Sequence, residues 1–134
     1  MKKIKKFKIK TYLSVTGKLI PLVFNKKFPM KVKRIFFVYG KKNKIRGDHA
    51  HKKCSQFFIP IFGKVILDIK TPKMKKKIVL NHLSKTAVLV PPKYWCSIKF
   101  TNKYSILMVV CDKYYDFDDY LESFDDYTKY LRKL

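Results

Sequence analysis

Acidic residues are scarce in this chain. Nine Asp and Glu stand against 32 Lys and Arg, a formal net charge of +23 over 134 residues. Arginine is scarcer still, limited to Arg34, Arg46 and Arg132. Guanidinium forks serve bidentate contacts with phosphates and base edges, so basicity carried by lysine argues only weakly for a nucleic-acid binder. The runs Lys41–Lys42 and Lys75–Lys76–Lys77 read as turn tips between apolar segments. Cysteine is limited to Cys54, Cys96 and Cys111, an odd number without CxxC spacing. That argues against a disulfide framework or a structural zinc site and fits reduced thiols in a cytoplasm. No apolar run approaches the ~20 residues of a membrane span, and the opening MKKIKKFKIK lacks a signal-peptide core. Four glycines and six prolines leave no material for long linkers. The expectation is a cytoplasmic chain without membrane contact, folded as a single domain over residues 1–134.

Bulky side chains are abundant. Apolar residues make up 47% and aromatics 16%, enough for a packed core. They fall in short segments rich in Val, Ile, Phe or Tyr: Leu19 to Phe24, Val32 to Tyr39, Phe57 to Ile69, Ile78 to Leu80, Ala87 to Val90, Trp95 to Phe100 and Tyr104 to Cys111. Turn residues or lysine clusters separate them. Ile98 and Phe100 alternate with Ser97 and Lys99, the period of a half-buried strand. Many short strands without a long helix between them indicate an all-β sandwich or barrel. Only Asp118 to Leu134 reads as helical, with Asp118 or Asp119 as cap and Tyr120, Phe124, Tyr127 and Leu131 on one face.

One segment carries chemistry: Arg46-Gly47-Asp48-His49-Ala50-His51-Lys52. Residues i and i+2 of a strand share a face, so His49 and His51 project together. Imidazole titrates near neutrality, and a pair can act as general base and acid or bind a metal. His49-x-His51, four residues, Gln56, six residues and Gly63 resemble the first cupin motif, and Pro91-Pro92-Lys93-Tyr94-Trp95-Cys96 stands where the second is due. The cupin likeness implies a metal held by positions His49, His51, Gln56 and Cys96. A neutral Gln56 removes ligand charge, so metal is not expected.

Longer pieces resemble one cupin family closely. GKLIPL (17–22), FPMKVKRIFFVYG (28–40), RGDHAHKKCSQ (46–56), PPKYW (91–95) and LMVVCDKYYDFDDYLESFDDY (107–127) look like the sugar-nucleotide 3,4-ketoisomerases. The resemblance implies a cupin jelly-roll barrel with a short C-terminal helix. It implies a homodimer exchanging N-terminal strands, no cofactor, and action on the thymidine-diphosphate sugar dTDP-4-keto-6-deoxyglucose. The carbonyl would move from C4 to C3 on the way to a 3-amino-3,6-dideoxy sugar of a lipopolysaccharide or other surface glycan. His49 is expected to carry the carbon-bound proton and His51 the oxygen protons. Arg46 is assigned to the diphosphate, with Arg34 and Lys52 assisting. Tyr39, Trp95 and Tyr114 are assigned to the nucleoside and sugar, and Gln56 to the site as well, as the partner that orients a histidine. Departures from the family pattern fall at Thr16, Val23, Asp48 and Cys96. Two other readings compete: a basic nucleic-acid-binding barrel, supported by charge alone, and a nucleotide-sugar 3,5-epimerase.

Overall fold

The computed structural model describes residues 1–134. Its strands are β1 (Lys5–Lys8), β2 (Tyr12–Ser14), β3 (Gly17–Leu19), β4 (Arg34–Lys41), β5 (Ile45–His51), β6 (Gln56–Phe62), β7 (Lys64–Thr71), β8 (Met74–Asn81), β9 (Thr86–Val90), β10 (Trp95–Phe100), β11 (Tyr104–Cys111) and β12 (Tyr120–Leu121). One helix, α1 (Phe124–Arg132), follows. Two antiparallel five-stranded sheets have the orders β1-β9-β6-β11-β4 and β12-β5-β10-β7-β8, and β2–β3 form a separate hairpin. This is the all-β sandwich that the segment pattern predicts, and the jelly roll that the resemblance implies. The sheets face each other without closing into a hydrogen-bonded barrel.

Alternation along each strand sorts side chains into three apolar layers. Phe58, Val88, Leu107 and Val109 of the first sheet meet Val65, Leu67, Leu80, Ile98 and Phe100 of the second in the central core. Fully burying one such side chain stabilises the fold by about 1.5–3 kcal/mol. Gly40 is required here, because a Cβ at that position would stand 2.1 Å from the Phe100 ring. The run Phe57 to Ile69 is broken at Gly63, whose φ of +81° turns the chain from one sheet to the other.

On the outer face of the second sheet, Ala50, Trp95, Leu121 and Tyr127 form another cluster, with Phe124 and Leu131 against it. The outer face of the first sheet buries Phe57, Ile59, Ala87 and Val110 beneath Phe7, Leu22, Phe28 and Val32.

Two expectations need correction. The helix begins after Ser123, whose side chain caps Asp126 N–H, and not at Asp118 or Asp119. Residues 117–119 form a single 3-10 turn capped by Asp116, and Tyr120 is extended. Leu19 to Phe24 is not a strand beyond Leu19. Pro21 cannot donate to a ladder, and Leu22 serves as cover for the first sheet.

Candidate active site

The geometry of the site starts from an irregularity in β5. Across the β5–β10 pair Cys96 faces His49, but Ser97 faces Gly47, so Asp48 is an extra residue. Gly47 and Asp48 both have positive φ, +74° and +60°, as a bulge requires. Asp48 Oδ1 accepts hydrogen bonds from Trp95 Nε1 at 2.9 Å and Ser97 Oγ at 2.8 Å. The bulge changes which residues share a face. Arg46 lies three positions from His49 and would point to the opposite side of a regular strand. With one residue looped out, Arg46 pairs with inward-facing Ile98 and joins His49 on the inner side.

There His49 and Arg46 line a cavity of about 170 Å³ together with Phe36, Val38, Gln56, Phe58, Cys96, Ile98 and Tyr120. His51 lies directly behind His49, with ring centroids 5.0 Å apart. Tyr120 packs against both, at 4.9 and 4.4 Å. His51 Nδ1 is 2.9 Å from Asp119 Oδ2. Asp119 is fixed in turn by the backbone N–H groups of Lys53 and Cys54 at 2.7 and 3.3 Å. The carboxylate holds the Nδ1–H tautomer, leaving Nε2, which is buried and unpartnered, with its lone pair. Burial is the largest influence on both imidazoles and lowers their proton affinity. The Gly47 carbonyl opposes it at His49, and Asp119 opposes it at His51.

Arg34 points inward from β4. Its guanidinium lies over the rings of Phe36 and Tyr115, at 5.5 and 5.6 Å, and Nη2 is 3.7 Å from Cys111 Sγ. Gln56 is on the cavity wall, but its amide contacts the Cys111 thiol and orients no histidine.

The other expected contacts lie outside this cavity. Trp95 points to the outer face of the sheet and is buried under α1, because its neighbour Cys96 takes the inward position. Tyr39 is 74% exposed on the outer face of the first sheet. Tyr114 and Lys52 line an open cleft on the far side of Asp119, with Lys53, Tyr115 and Asp118. Asp119 and Tyr120, in contrast, are contacts that sequence reasoning missed by placing them in a helix. They belong to the YYDFDDY stretch singled out for its resemblance, so the signal was present.

The cupin set His49, His51, Gln56 and Cys96 does not fit a metal. Gln56 stands where the motif has a carboxylate and brings no charge, so the set offers no anionic oxygen.

A family model described as FdtA: WxcM-like, C-terminal, matches residues 2–132. The chain belongs to this family. It is 27% identical over 126 residues to TDP-4-oxo-6-deoxy-alpha-D-glucose-3,4-oxoisomerase of Aneurinibacillus thermoaerophilus, covering 93% of this chain and 90% of the relative. It is similar to the crystal structure of QdtA, a sugar 3,4-ketoisomerase from Thermoanaerobacterium thermosaccharolyticum in complex with TDP. The TM-score is 0.89 at 28% identity, over 97% of this chain and 95% of that one. A histidine-to-asparagine variant of QdtA holding TDP-4-keto-6-deoxyglucose matches with a TM-score of 0.89 at 27% identity, over 97% and 94%. Within this FdtA-family chain, the two stretches that carried the resemblance, 46–52 and 114–120, meet at His51–Asp119 and His49–Tyr120.

Proposed function

We propose that the protein is a 3,4-ketoisomerase acting on dTDP-4-keto-6-deoxyglucose in deoxysugar biosynthesis. The observation that carries this reading is the histidine pair at the cavity, one ring tied to a carboxylate and left with an unpartnered Nε2. The likeness to TDP-sugar ketoisomerases over more than nine-tenths of the chain supports the substrate class. A nucleic-acid-binding barrel rests on charge alone.

The reaction removes the C3 proton beside the C4 carbonyl, passes through an enediol(ate) and returns a proton to C4. Protons also move between the two oxygens. No electrons leave the sugar, so the acid–base pair suffices. His49, on the cavity wall, takes and returns the carbon-bound proton. His51 serves the oxygens through Nε2 and stabilises charge there, while Asp119 supports its imidazolium form. Arg46, turned inward by the bulge, meets the diphosphate with two parallel donors. The cavity admits the reacting end of the sugar only, so the nucleotide lies along its mouth.

We infer also that the chain acts as a single cytoplasmic domain in a homodimer that exchanges N-terminal strands, in a pathway to a surface glycan. Two surfaces support the exchange. The β2–β3 hairpin exposes Tyr12, Leu13, Val15 and Leu19, and the outer face of the first sheet exposes Ile35, Phe37 and Tyr39. Apolar patches of this kind mark protein contacts. A 16 kDa species in sedimentation at micromolar concentration overturns the dimer.

Incubation with dTDP-4-keto-6-deoxyglucose, followed by NMR, tests the main reading. Conversion to the 3-keto isomer is expected, and an unchanged spectrum overturns it.

A further inference from the structure

Behind the catalytic pair lies a second cluster that the isomerisation does not use in full. The donor atoms of His51, Cys54 and Asp119 all lie within 4.8 Å of one another. His51 is 4% and Cys54 2% exposed. We propose that these three residues form an inhibitory site for a thiophilic divalent cation, represented by Zn²⁺.

The donor chemistry suits such an ion. One thiolate, one imidazole and one carboxylate are ligands zinc takes, at about 2.3, 2.0 and 2.1 Å. Donors around a tetrahedral zinc stand roughly 3.3–3.8 Å apart, so the widest separation in the cluster closes by up to about 1 Å while the 2.9 Å His51–Asp119 contact opens. Thiolate in the set selects against Mg²⁺ and Ca²⁺. Its hydrogen bond to Cys111 and its burial raise the proton affinity of the Cys54 thiol, so the ion must displace that proton; Asp119 and the resulting thiolate then bring two negative charges to the 2+ of the ion. Cys111, whose thiol contacts that of Cys54, is not one of the three donors. This site is distinct from the cupin set, which shares only His51 with it and lacks a carboxylate.

The consequence for the reaction follows from the tautomer. The ion takes His51 Nδ1, and Asp119 becomes a ligand where it had been a hydrogen-bond acceptor. The Nδ1 proton moves to Nε2, and the Cys54 thiol proton leaves to buffer. His51 then has no lone pair with which to accept a proton from the sugar, so oxygen-proton transfer stops. Inhibition rests on the ketoisomerase reading; binding does not.

The test uses the full chain after treatment with EDTA and transfer to chelator-free buffer. Cd²⁺ is titrated in without substrate, and the ultraviolet thiolate-to-cadmium charge-transfer band is followed. A band that saturates at one ion per chain is expected, and Zn²⁺ is expected to displace it. In Cys54→Ala the band is lost while it persists in Cys96→Ala. Isomerase activity in Cys54→Ala stays within about threefold of the parent, well short of the ~10²–10⁴-fold of a lost acid or base, and the zinc needed to inhibit rises at least tenfold. Cys54→Val, closer in volume, replaces Cys54→Ala if the latter melts early. Absence of the band in the parent chain overturns the site, as does a band retained without Cys54. Equal zinc inhibition of parent and variant overturns it as the cause of inhibition. A chain that binds cadmium at Cys54 but never isomerises loses the function and keeps the site.

Discussion

Asp48 and Trp95 are tied together across the β5–β10 pair, indole Nε1–H to carboxylate at 2.9 Å. The bond lies on the outer face of the second sheet, where Asp48 also meets Ser97. Trp95 is buried beneath α1, and Asp48 is the looped-out residue that turns Arg46 toward His49. Removing the carboxylate leaves the indole N–H without its partner, at a cost of about 1–3 kcal/mol. A left-handed backbone suits Asp or Asn better than Ala. Asp48→Ala is therefore expected to lose about 2 kcal/mol in urea melts and to raise KM more than it lowers kcat, as Arg46 loses its aim. Asp48→Asn keeps an acceptor and should retain most of both. Equal stability of Asp48→Ala and parent contradicts this role.

His49→Asn and His51→Asn test the division of labour. Each should fold and bind the nucleotide sugar and lose ~10²–10⁴-fold in rate. His49→Asn should abolish exchange of the C3 proton with solvent deuterium, whereas His51→Asn should retain some exchange while net isomerisation slows. Two folded, substrate-binding variants that isomerise within about threefold of the parent, far short of that range, place the chemistry elsewhere.

Asp119→Asn keeps the shape of the contact with His51 and removes its charge. A loss in kcat of at least about tenfold is expected, since an Asn in this position no longer holds the tautomer or supports the imidazolium. KM should change little, because Asp119 does not line the cavity. A kcat equal to the parent's shows that the pair has no part in turnover.

The pH dependence follows from burial. Both histidines have proton affinities below the ordinary 6.5 in the folded chain. Between 6.5 and those lower values the unfolded chain binds more protons than the folded one. Stability is thus complete above 6.5 and falls as pH drops through that window. The acid limb of kcat/KM, measured with EDTA present, should fall below pH 6.5, and an acid limb centred above 6.5 contradicts the burial argument.

Chelation is a separate check. EDTA should leave activity unchanged, or raise it if zinc came with the protein. Loss of activity restored by zinc or iron overturns the acid–base mechanism.

Fold class and the histidine pair were legible because they rest on local periodicity. Ile98 and Phe100 alternate as a strand does, and His49 and His51 keep the i, i+2 relation that puts both rings together. Arg46 lines the cavity although strand parity alone argues against it; the Gly47–Asp48 bulge depends on a register with β10 that no local pattern displays. Asp119 and Tyr120 were hidden for a related reason. Acids before an apolar face look like a helix start, and only the hydrogen bond to His51, 68 residues away in sequence, reveals another use. Trp95 was assigned to the nucleoside and sugar because an aromatic next to a motif looks like a ligand wall, and it lies outside the cavity. Its side is fixed by the helix that packs on it from outside.

That helix has a bearing on biosynthesis. Tyr127 is fully buried, and its hydroxyl donates to the Lys93 carbonyl at 2.8 Å, clasping α1 to the back of the strands that carry the histidines. The 3-10 turn and the short strand that deliver Asp119 and Tyr120 lie just ahead of this clasp in the chain. A ribosome therefore releases His49 and His51 well before the groups that complete them. Until Asp119 follows, 68 residues behind His51, the nascent protein carries an idle pair of imidazoles.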